Sequence, residues 1–287
     1  MKDNATITNA LTIDVEDYFQ VSAFAPYIAR ADWERRECRV ERNVERILAL
    51  LDDHDTEATF FTLGWIAERY PQLVRRIAEQ GHEVASHGYG HQRASELDRA
   101  EFRADIERAK KVLEDLSGSE VTGYRAPSFS IGPGNLWALD ELARAGHRYS
   151  SSIYPIRHDH YGMPDAPRFA HTAADGLIEI PITTLRLFNR NLPSSGGGYF
   201  RLLPYALSRW MLRQVNASDR EAAVFYFHPW EIDPGQPRIA GIDRKTRFRH
   251  YVNIHRMERR LQSLLRDFKW GRMDRLFLDR ARGARAH

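Results

Sequence analysis

Two histidines four residues apart, His87 and His91, follow the short apolar stretch His82–Ser86, and three acids, Asp14, Glu16 and Asp17, sit at and just past the end of the apolar run Leu11–Val15. Arg125 ends the run that begins at Val121, and His228 directly follows Ala222–Phe227. If the histidines stand one helical turn apart, their Cβ atoms are about 5–6 Å from each other and both imidazoles can face one point. Two neutral imidazoles and one carboxylate make a three-ligand divalent site with an open position. An ion held that way lowers the pKa of water toward about 7 and polarises a carbonyl oxygen. A carboxylate left off the ion can accept a proton, and His228 can return one to a leaving amine. Arg125 can fix that carboxylate and keep it ionised through a charge-assisted hydrogen bond. The parts suit metal-assisted amide hydrolysis. Each signal alone has a plainer reading: a helix cap or solvated loop for the acids, a surface pair for the histidines, a satisfied core residue for His228. Their joint placement at the ends of apolar runs is what points to a site.

The elements that must position these residues alternate along the chain. Leu11–Val15, Ala58–Leu63, His82–Ser86, Val121–Arg125, Arg148–Ile153, Leu177–Ile180 and Ala222–Phe227 read as short strands rich in aromatic and β-branched residues. Val40, Val44, Ile47, Leu48 and Leu51 recur at helical spacing, and further helices are expected over Trp65–Gln80, Gly134–Ala145 and Pro204–Val215. Gly81 is the expected stop of the second of these. Ser95-Glu96-Leu97-Asp98 has the form of a capping box ahead of a helical face running from Leu97 to Leu116. Strands alternating with helices imply βαβ units and a mostly parallel sheet, open or closed into a barrel. In such folds functional residues gather at the carboxyl ends of the strands. Gly196-Gly197-Gly198 reads as part of a loop. His82, Trp65 and Trp137 are expected to be packing residues.

In this order the motifs resemble those of the NodB-type polysaccharide deacetylases, carbohydrate esterase family 4. Thr12-Ile13-Asp14 resembles the start of a T-F-D-D motif, Ala58–Gly64 an A-T-F-F-x-x-G strand, and Gly81–His91 a G-H-E-x-x-x-H-x-x-x-H segment. Tyr124-Arg125-Ala126-Pro127 resembles an R-x-P motif, and Phe227-His228 the late motif that supplies a catalytic histidine. The resemblance implies an α/β fold, a distorted (β/α) barrel, and hydrolysis of an N-acetyl group from an amino sugar. By the same resemblance Asp14 is the general base, His87 and His91 are metal ligands, His228 is the general acid, Arg125 orients Asp14, and the backbone N–H of Ser128 lies near an oxyanion position. The usual second Asp is replaced by Val15, so the carboxylate ligand is Glu16, the preferred choice, or Asp17. Ser150 stands where relatives carry an acid that supports the catalytic histidine, and Glu231 and Glu179 are candidates for that role. Trp230 and Tyr199 are candidate sugar contacts. Asp14–Phe19, Gly196–Arg201 and Phe227–Glu231 resemble a subgroup from exopolysaccharide and exosortase loci that carries a short C-terminal extension.

Composition bounds the rest. The 42 Lys and Arg against 39 Asp and Glu leave a net charge of +3, and 43% apolar residues exclude a disordered chain. Residues 231–287 hold 15 basic against 7 acidic side chains, which leaves 27 against 32 for residues 1–230. The expected division is a mildly acidic barrel over 1–230 and a basic, helical extension over 231–287 packed on it. A helix is expected from Tyr251 to Phe268, with Arg256, Arg259, Arg260 and Arg266 on its polar face, suited to an acidic polysaccharide or to peripheral contact with an anionic membrane. Arg280–Arg285 reads as a frayed tail. No aromatic interleaving accompanies the arginines, so nucleic acid is not an expected partner. A lone Cys38 excludes an intrachain disulfide. Met1–Leu11 lacks the apolar core of a secretory signal and no run is long enough to span a bilayer, so the expected location is the cytoplasm. Zn²⁺ is the expected ion, with Co²⁺, Ni²⁺ or Fe²⁺ suited to the same ligands. An N-acetylated poly- or oligosaccharide is the expected substrate. An allantoinase-like amide hydrolase and a silent glycan-binding module are the alternatives.

Overall fold

The computed structural model describes residues 7–158 and 161–279. In chain order the main elements are β1 (Thr8–Val15), α1 (Val40–Asp52), β2 (Thr59–Thr62), α2 (Gly64–Arg69), α3 (Pro71–Glu79), β3 (Glu83–Ser86), α4 (Arg99–Ser117), β4 (Gly123–Tyr124), α5 (Trp137–Arg144), β5 (Tyr149–Ser150), β6 (His171–Thr172) and β7 (Ile178–Glu179). There follow β8 (Thr184–Leu187), β9 (Arg190–Pro193), α6 (Gly197–Leu202), α7 (Tyr205–Gln214), β10 (Val224–Phe227), α8 (Arg244–Tyr251), α9 (Ile254–Asp267) and β11 (Lys269–Gly271). The main sheet runs β10-β1-β2-β3-β4-β5-β7-β6, and β11 also pairs with β1. All its pairs are parallel except β6 with β7. The chain is thus an α/β protein whose sheet curls into a half-barrel faced by helices, the expected distorted barrel in an open form.

Alternation along the strands sorts the core. Leu11, Ile13, Val15, Phe60, Val84, Phe225 and Phe227 face outward and pack with α1, α3, α7 and α9. Ala10, Phe61, Ala85, Val224 and Tyr226 face inward, with Tyr149, Tyr154, Phe129 and Met273. Asp14 shares the parity of Ala10 and therefore points into the barrel just before its strand ends.

Several boundaries differ from the expectation. The helix expected over 65–80 is two, α2 and α3, because Pro71 lacks the N–H that would continue the first and instead opens the second. The cap of α4 is Asp98, which accepts from Ala100 and Glu101 N–H while Glu101 reaches back, so the capping box lies one turn later than expected. The helix expected over 251–268 breaks at Val252-Asn253, with Asn253 left-handed at φ 51°. The triple glycine is not simply loop: Gly197 and Gly198 open α6. Arg260 is not on a solvated face, since its Nη1 donates to the carbonyls of Phe200, Arg201 and Leu203. Residues 231–279 are built into the fold. Their β11 joins the main sheet, and Trp270 and Met273 lie in the two cores. The tail at Arg280–Arg285 lies outside the described residues. Among the described residues no helix is long and apolar enough to cross a membrane.

Candidate active site

The parallel register brings the ends of β1, β3, β4 and β10 to one rim. Pairing of Ile13 with Phe227 sets Asp14 beside His228, although the two are far apart in the chain. Asp14 is 1% exposed, and its Oδ1 accepts from Arg125 Nη1 at 2.6 Å. Arg125 is wholly buried over the Phe61 ring, and each of its three nitrogens is engaged, with Thr12 Oγ1 and the carbonyl and hydroxyl of Ser151 as the further acceptors. A guanidinium so fully engaged cannot swing away, so Asp14 Oδ1 is fixed and Oδ2 faces the site.

The histidines do not share a helix. They flank a loop, residues 87–91, in which Gly88 and His91 take left-handed φ values of 73° and 56°. The loop is held from two sides. Gly64 and Trp65 N–H, unpaired donors at the start of α2, reach the carbonyls of Gly88 and Tyr89. Asp105 of α4 accepts from Tyr89 and Gly90 N–H. Left-handed backbone at a non-glycine residue costs energy and persists where its surroundings over-determine it. The two rings end 5.4 Å apart. His87 Nδ1 lies 2.8 Å from the Arg125 carbonyl, which can only accept; Nδ1 therefore carries the proton and Nε2 is left to ligate. Burial, outweighing the pull of Asp14, lowers the His87 pKa to about 4 and keeps the ring neutral.

Glu16, His87 and His91 each offer a ligand atom within 4.8 Å of the others. Glu16 Oε2 is buried without a well-formed hydrogen bond, 2.5 Å from His91 Nε2, while Oε1 accepts from Trp230 Nε1. A buried carboxylate oxygen with no hydrogen bond, aimed between two imidazoles, fits a divalent cation of the zinc class. Burial opposes the charge on Glu16, but His91, His228 and His87 outweigh it and hold its pKa near 2. Asp17 is elsewhere: Oδ1 accepts from Tyr18 N–H, and Oδ2 from the N–H groups of Arg39 and Val40 at the start of α1. It is an α1 anchor rather than a ligand, because after Val15 the chain turns and alternate side chains diverge.

His228 closes the site, its Nε2 3.6 Å from Glu16 Oε1 and 4.0 Å from Asp14 Oδ2. Its side chain is 19% exposed, against 2–3% for the two carboxylates, so it is the group that solvent reaches. Glu231 accepts from His228 at both the backbone N–H (2.9 Å) and Nδ1 (3.1 Å). Burial alone would lower the His228 pKa; Glu16, Glu231 and Asp14 reverse that and raise it to about 9. Glu179 takes no part, since its Oε1 accepts from Ser152 and Ile153 N–H in the barrel wall.

The expected sugar contacts fare differently. Trp230 is only 6% exposed, with His228 stacked at 5.3 Å and His250 at 4.2 Å on its ring, so it is not a platform for a pyranose. It positions Glu16 instead. Tyr199 is half-buried in the first turn of α6. Ser128 is half-buried at the rim with φ 56°, its hydroxyl 2.5 Å from that of Ser22, and Phe129 beside it has φ 50°. Asp105 and Trp230 as a hydrogen-bond donor escaped the sequence reading, whereas Glu231, one of its two candidates, is the acid that touches His228. Asp105 carried one faint signal, an acid bordering the apolar stripe of α4.

Residues 33–149 match the family Polysaccharide deacetylase. That match covers 117 of the 287 residues. Residues 151–278 match a Domain of unknown function (DUF3473), so the two matched segments meet near residue 150, inside the sheet. A peptidoglycan-N-acetylglucosamine deacetylase of Bacillus cereus is 35% identical over 97 residues, 33% of this chain and 35% of that protein. A chitooligosaccharide deacetylase of Sinorhizobium fredii is 37% identical over 141 residues, 49% of this chain and 60% of that one. The matched stretch thus spans about a third of the former relative and three fifths of the latter. The fold is shared with a Mycobacterium smegmatis structure described as a polysaccharide deacetylase, with TM-score 0.64, 22% identity, and coverage of 99% of this chain and 93% of that one. It is shared also with an allantoinase, with TM-score 0.58, 16% identity, and coverage of 91% and 85%.

Proposed function

We propose that the chain is a metal-dependent hydrolase that removes N-acetyl groups from N-acetylhexosamine residues of a poly- or oligosaccharide, in exopolysaccharide biosynthesis. The observation that carries the reading is the convergence of Glu16, His87 and His91, flanked by Asp14 and His228. The substrate class comes from the relatives' names, and the exopolysaccharide role from the likeness at Asp14–Phe19, Gly196–Arg201 and Phe227–Glu231. Two imidazoles and a carboxylate suit Zn²⁺ best and also accept Co²⁺, Ni²⁺ or Fe²⁺. Bound there, such an ion supplies Lewis-acid polarisation of the acetyl carbonyl and a lowered water pKa.

The chain's own groups do the rest. Asp14 Oδ2, with Oδ1 tied to Arg125, accepts a proton from the attacking water. His228 delivers a proton from Nε2 to the amide nitrogen as the C–N bond breaks, giving acetate and a free amine. Ser128 offers its N–H to the developing oxyanion, and Tyr199 contacts the glycan. Residues 1–230 are read as the catalytic barrel and 231–287 as its extension, which lends β11 to the barrel's sheet. Exposed Arg256, Arg259 and Arg266 on α9 give that extension an outer face suited to an anionic glycan or membrane surface.

Acetate release from N-acetylated chitooligosaccharides by the zinc-loaded protein tests the reading. His87→Ala and His91→Ala should lose both metal and activity; retention of both by either variant sinks it. Allantoin serves as the parallel substrate, since the shared fold with an allantoinase supports that second reading. Ring opening without acetate release from the glycan would select it.

A further inference from the structure

Glu231 is 1% exposed, and a bare carboxylate there would be costly to bury. Its Oε1 accepts from Arg201 Nε at 2.8 Å, and Arg201 is equally buried. The rest of the Arg201 fork is spent on backbone. Nη1 donates to the carbonyls of His250 (2.8 Å) and Val252 (2.7 Å), and Nη2 to that of Arg249 (3.3 Å). Arg249 and His250 lie in the last turn of α8, where carbonyls have no partner within the helix and the dipole favours a cation. The α8–α9 junction grips the backbone of Arg201 as well, because Asn253 Nδ2 and Arg260 Nη1 both donate to its carbonyl. On the far side of Glu231 lies Gly197, where an added Cβ would sit 1.8 Å from Glu231 Oε2. The absence of a side chain there lets the carboxylate lie flat against the start of α6, in reach of His228.

We propose that Arg201 is a positioning residue through which the carboxyl end of α8 fixes the Glu231 carboxylate, and with it the ring of His228. Arg201, Glu231, Gly197 and α8 all lie in the segment 151–278. Through this clamp that segment completes the rim that the first half of the barrel leaves open. The inference rests on the reading of His228 as proton donor. Only a planar fork serves, since a lysine ammonium cannot meet a carboxylate and three carbonyls in one plane.

Gly197→Ala is the decisive variant, because it displaces the carboxylate without removing any charge or hydrogen-bonding group. Its carboxylate neighbour is the end of a flexible side chain, so the helix can form. With zinc-loaded protein and an N-acetylated chitooligosaccharide, Gly197→Ala should lower kcat about 10²-fold, as misplacement by about 1 Å does, with KM and Zn²⁺ affinity unchanged. Gly198→Ala, whose Cβ meets nothing within 4 Å, should match the unaltered chain. Arg201→Lys keeps the charge and loses the fork, so it should show the same kcat loss; full activity in it would mean that charge alone suffices and would overturn the proposal. The metal-free protein gives a readout independent of deacetylation. The proton NMR signal of His228 Nδ1–H, identified by its loss in His228→Gln, should shift or vanish in Gly197→Ala. An unmoved signal together with unchanged kcat refutes the clamp. If no glycan is deacetylated even by the unaltered chain, the signal alone decides: displacement in Gly197→Ala upholds the clamp while the activity reading falls, and an unmoved signal refutes the clamp.

Discussion

Replacing Asp105 by alanine should weaken metal binding although Asp105 touches no ligand atom. The reasoning starts at His91, whose φ of 56° costs about 1–3 kcal/mol for a non-glycine residue. Four hydrogen bonds tie the loop that holds it there to α2 and α4, and Asp105 accepts two of them, from Tyr89 N–H at 2.8 Å and from Gly90 N–H at 3.3 Å. Hydrogen bonds to a charged group contribute about 1.5–3 kcal/mol each. The second is long, so the pair together is taken as about 3 kcal/mol at the lower end of that scale. That is at least the strain it opposes, so without Asp105 the loop is free to relax and His91 to leave the line of Glu16 and His87. The expected loss of Zn²⁺ affinity is about 10–100-fold, the usual consequence of removing an outer support of a metal ligand. Competition titration against a chromophoric chelator measures it, with denaturant unfolding of the same samples as the stability reference. Asp105→Asn, which keeps one acceptor oxygen, should fall between. Zn²⁺ affinity unchanged within about twofold in Asp105→Ala would refute the argument, because the strain at His91 would then be held by the α2 donors alone.

Glu16→Gln should lose zinc about 10²-fold or more, whereas Asp17→Asn should keep it and lose about 1–2 kcal/mol of stability as α1 loses its charged N-terminal acceptor; the reverse pattern would make Asp17 the ligand. At the opposite end of the barrel Glu83 accepts from Thr59, Tyr149 and the Asp274 N–H. Burial, then the Asp274 charge, raises its pKa to about 7 from 4.5. Its folded pKa is raised, so its stabilisation is fully present below pH 4.5 and is lost as pH rises through 7. Relative to Glu83→Gln, the unaltered chain should lose denaturant resistance across that window, and a difference that is flat or of opposite sign would contradict the assignment.

The strands that carry the site were legible because each is a short apolar run with chemistry at its carboxyl end, and a parallel sheet gathers such ends at one rim. What depended on distant partners was not. Nothing near His91 announces that its loop is held by α2 and by Asp105 rather than wound as a helix. In the line of acids a family likeness alone favours Glu16 over Asp17; what occupies Asp17, the N–H groups at the start of α1, was not legible. Trp230 looked like a sugar platform because aromatic residues near catalytic strands often are, and only its two ring neighbours show that both faces are taken. The hairpin of β8 and β9 went unseen because its turn residues, Phe188 and Asn189, take φ 47° and 57° without the glycine that usually marks such turns. A three-residue β11 pairing with β1 leaves no periodic trace at all.

The site draws on three stretches of the chain, and its assembly follows from one register. Asp14 and Glu16 precede both family matches, His87, His91 and Arg125 lie in the first, and His228 and Glu231 lie in the second. The pairs Leu11 with Phe225 and Ile13 with Phe227 join the outermost pieces directly, strand against strand. Side chains alternate with a period of two, so a slip of one residue between β1 and β10 would put Phe227 where Tyr226 now faces the barrel and turn His228 off the rim. The outward faces of both strands, Leu11, Ile13, Phe225 and Phe227, are buried in one helix-covered core, which makes such a slip expensive. The apolar face of the sheet thereby sets the 4.0 Å between His228 and Asp14, and the charged groups at the rim inherit a geometry that hydrophobic packing has already chosen.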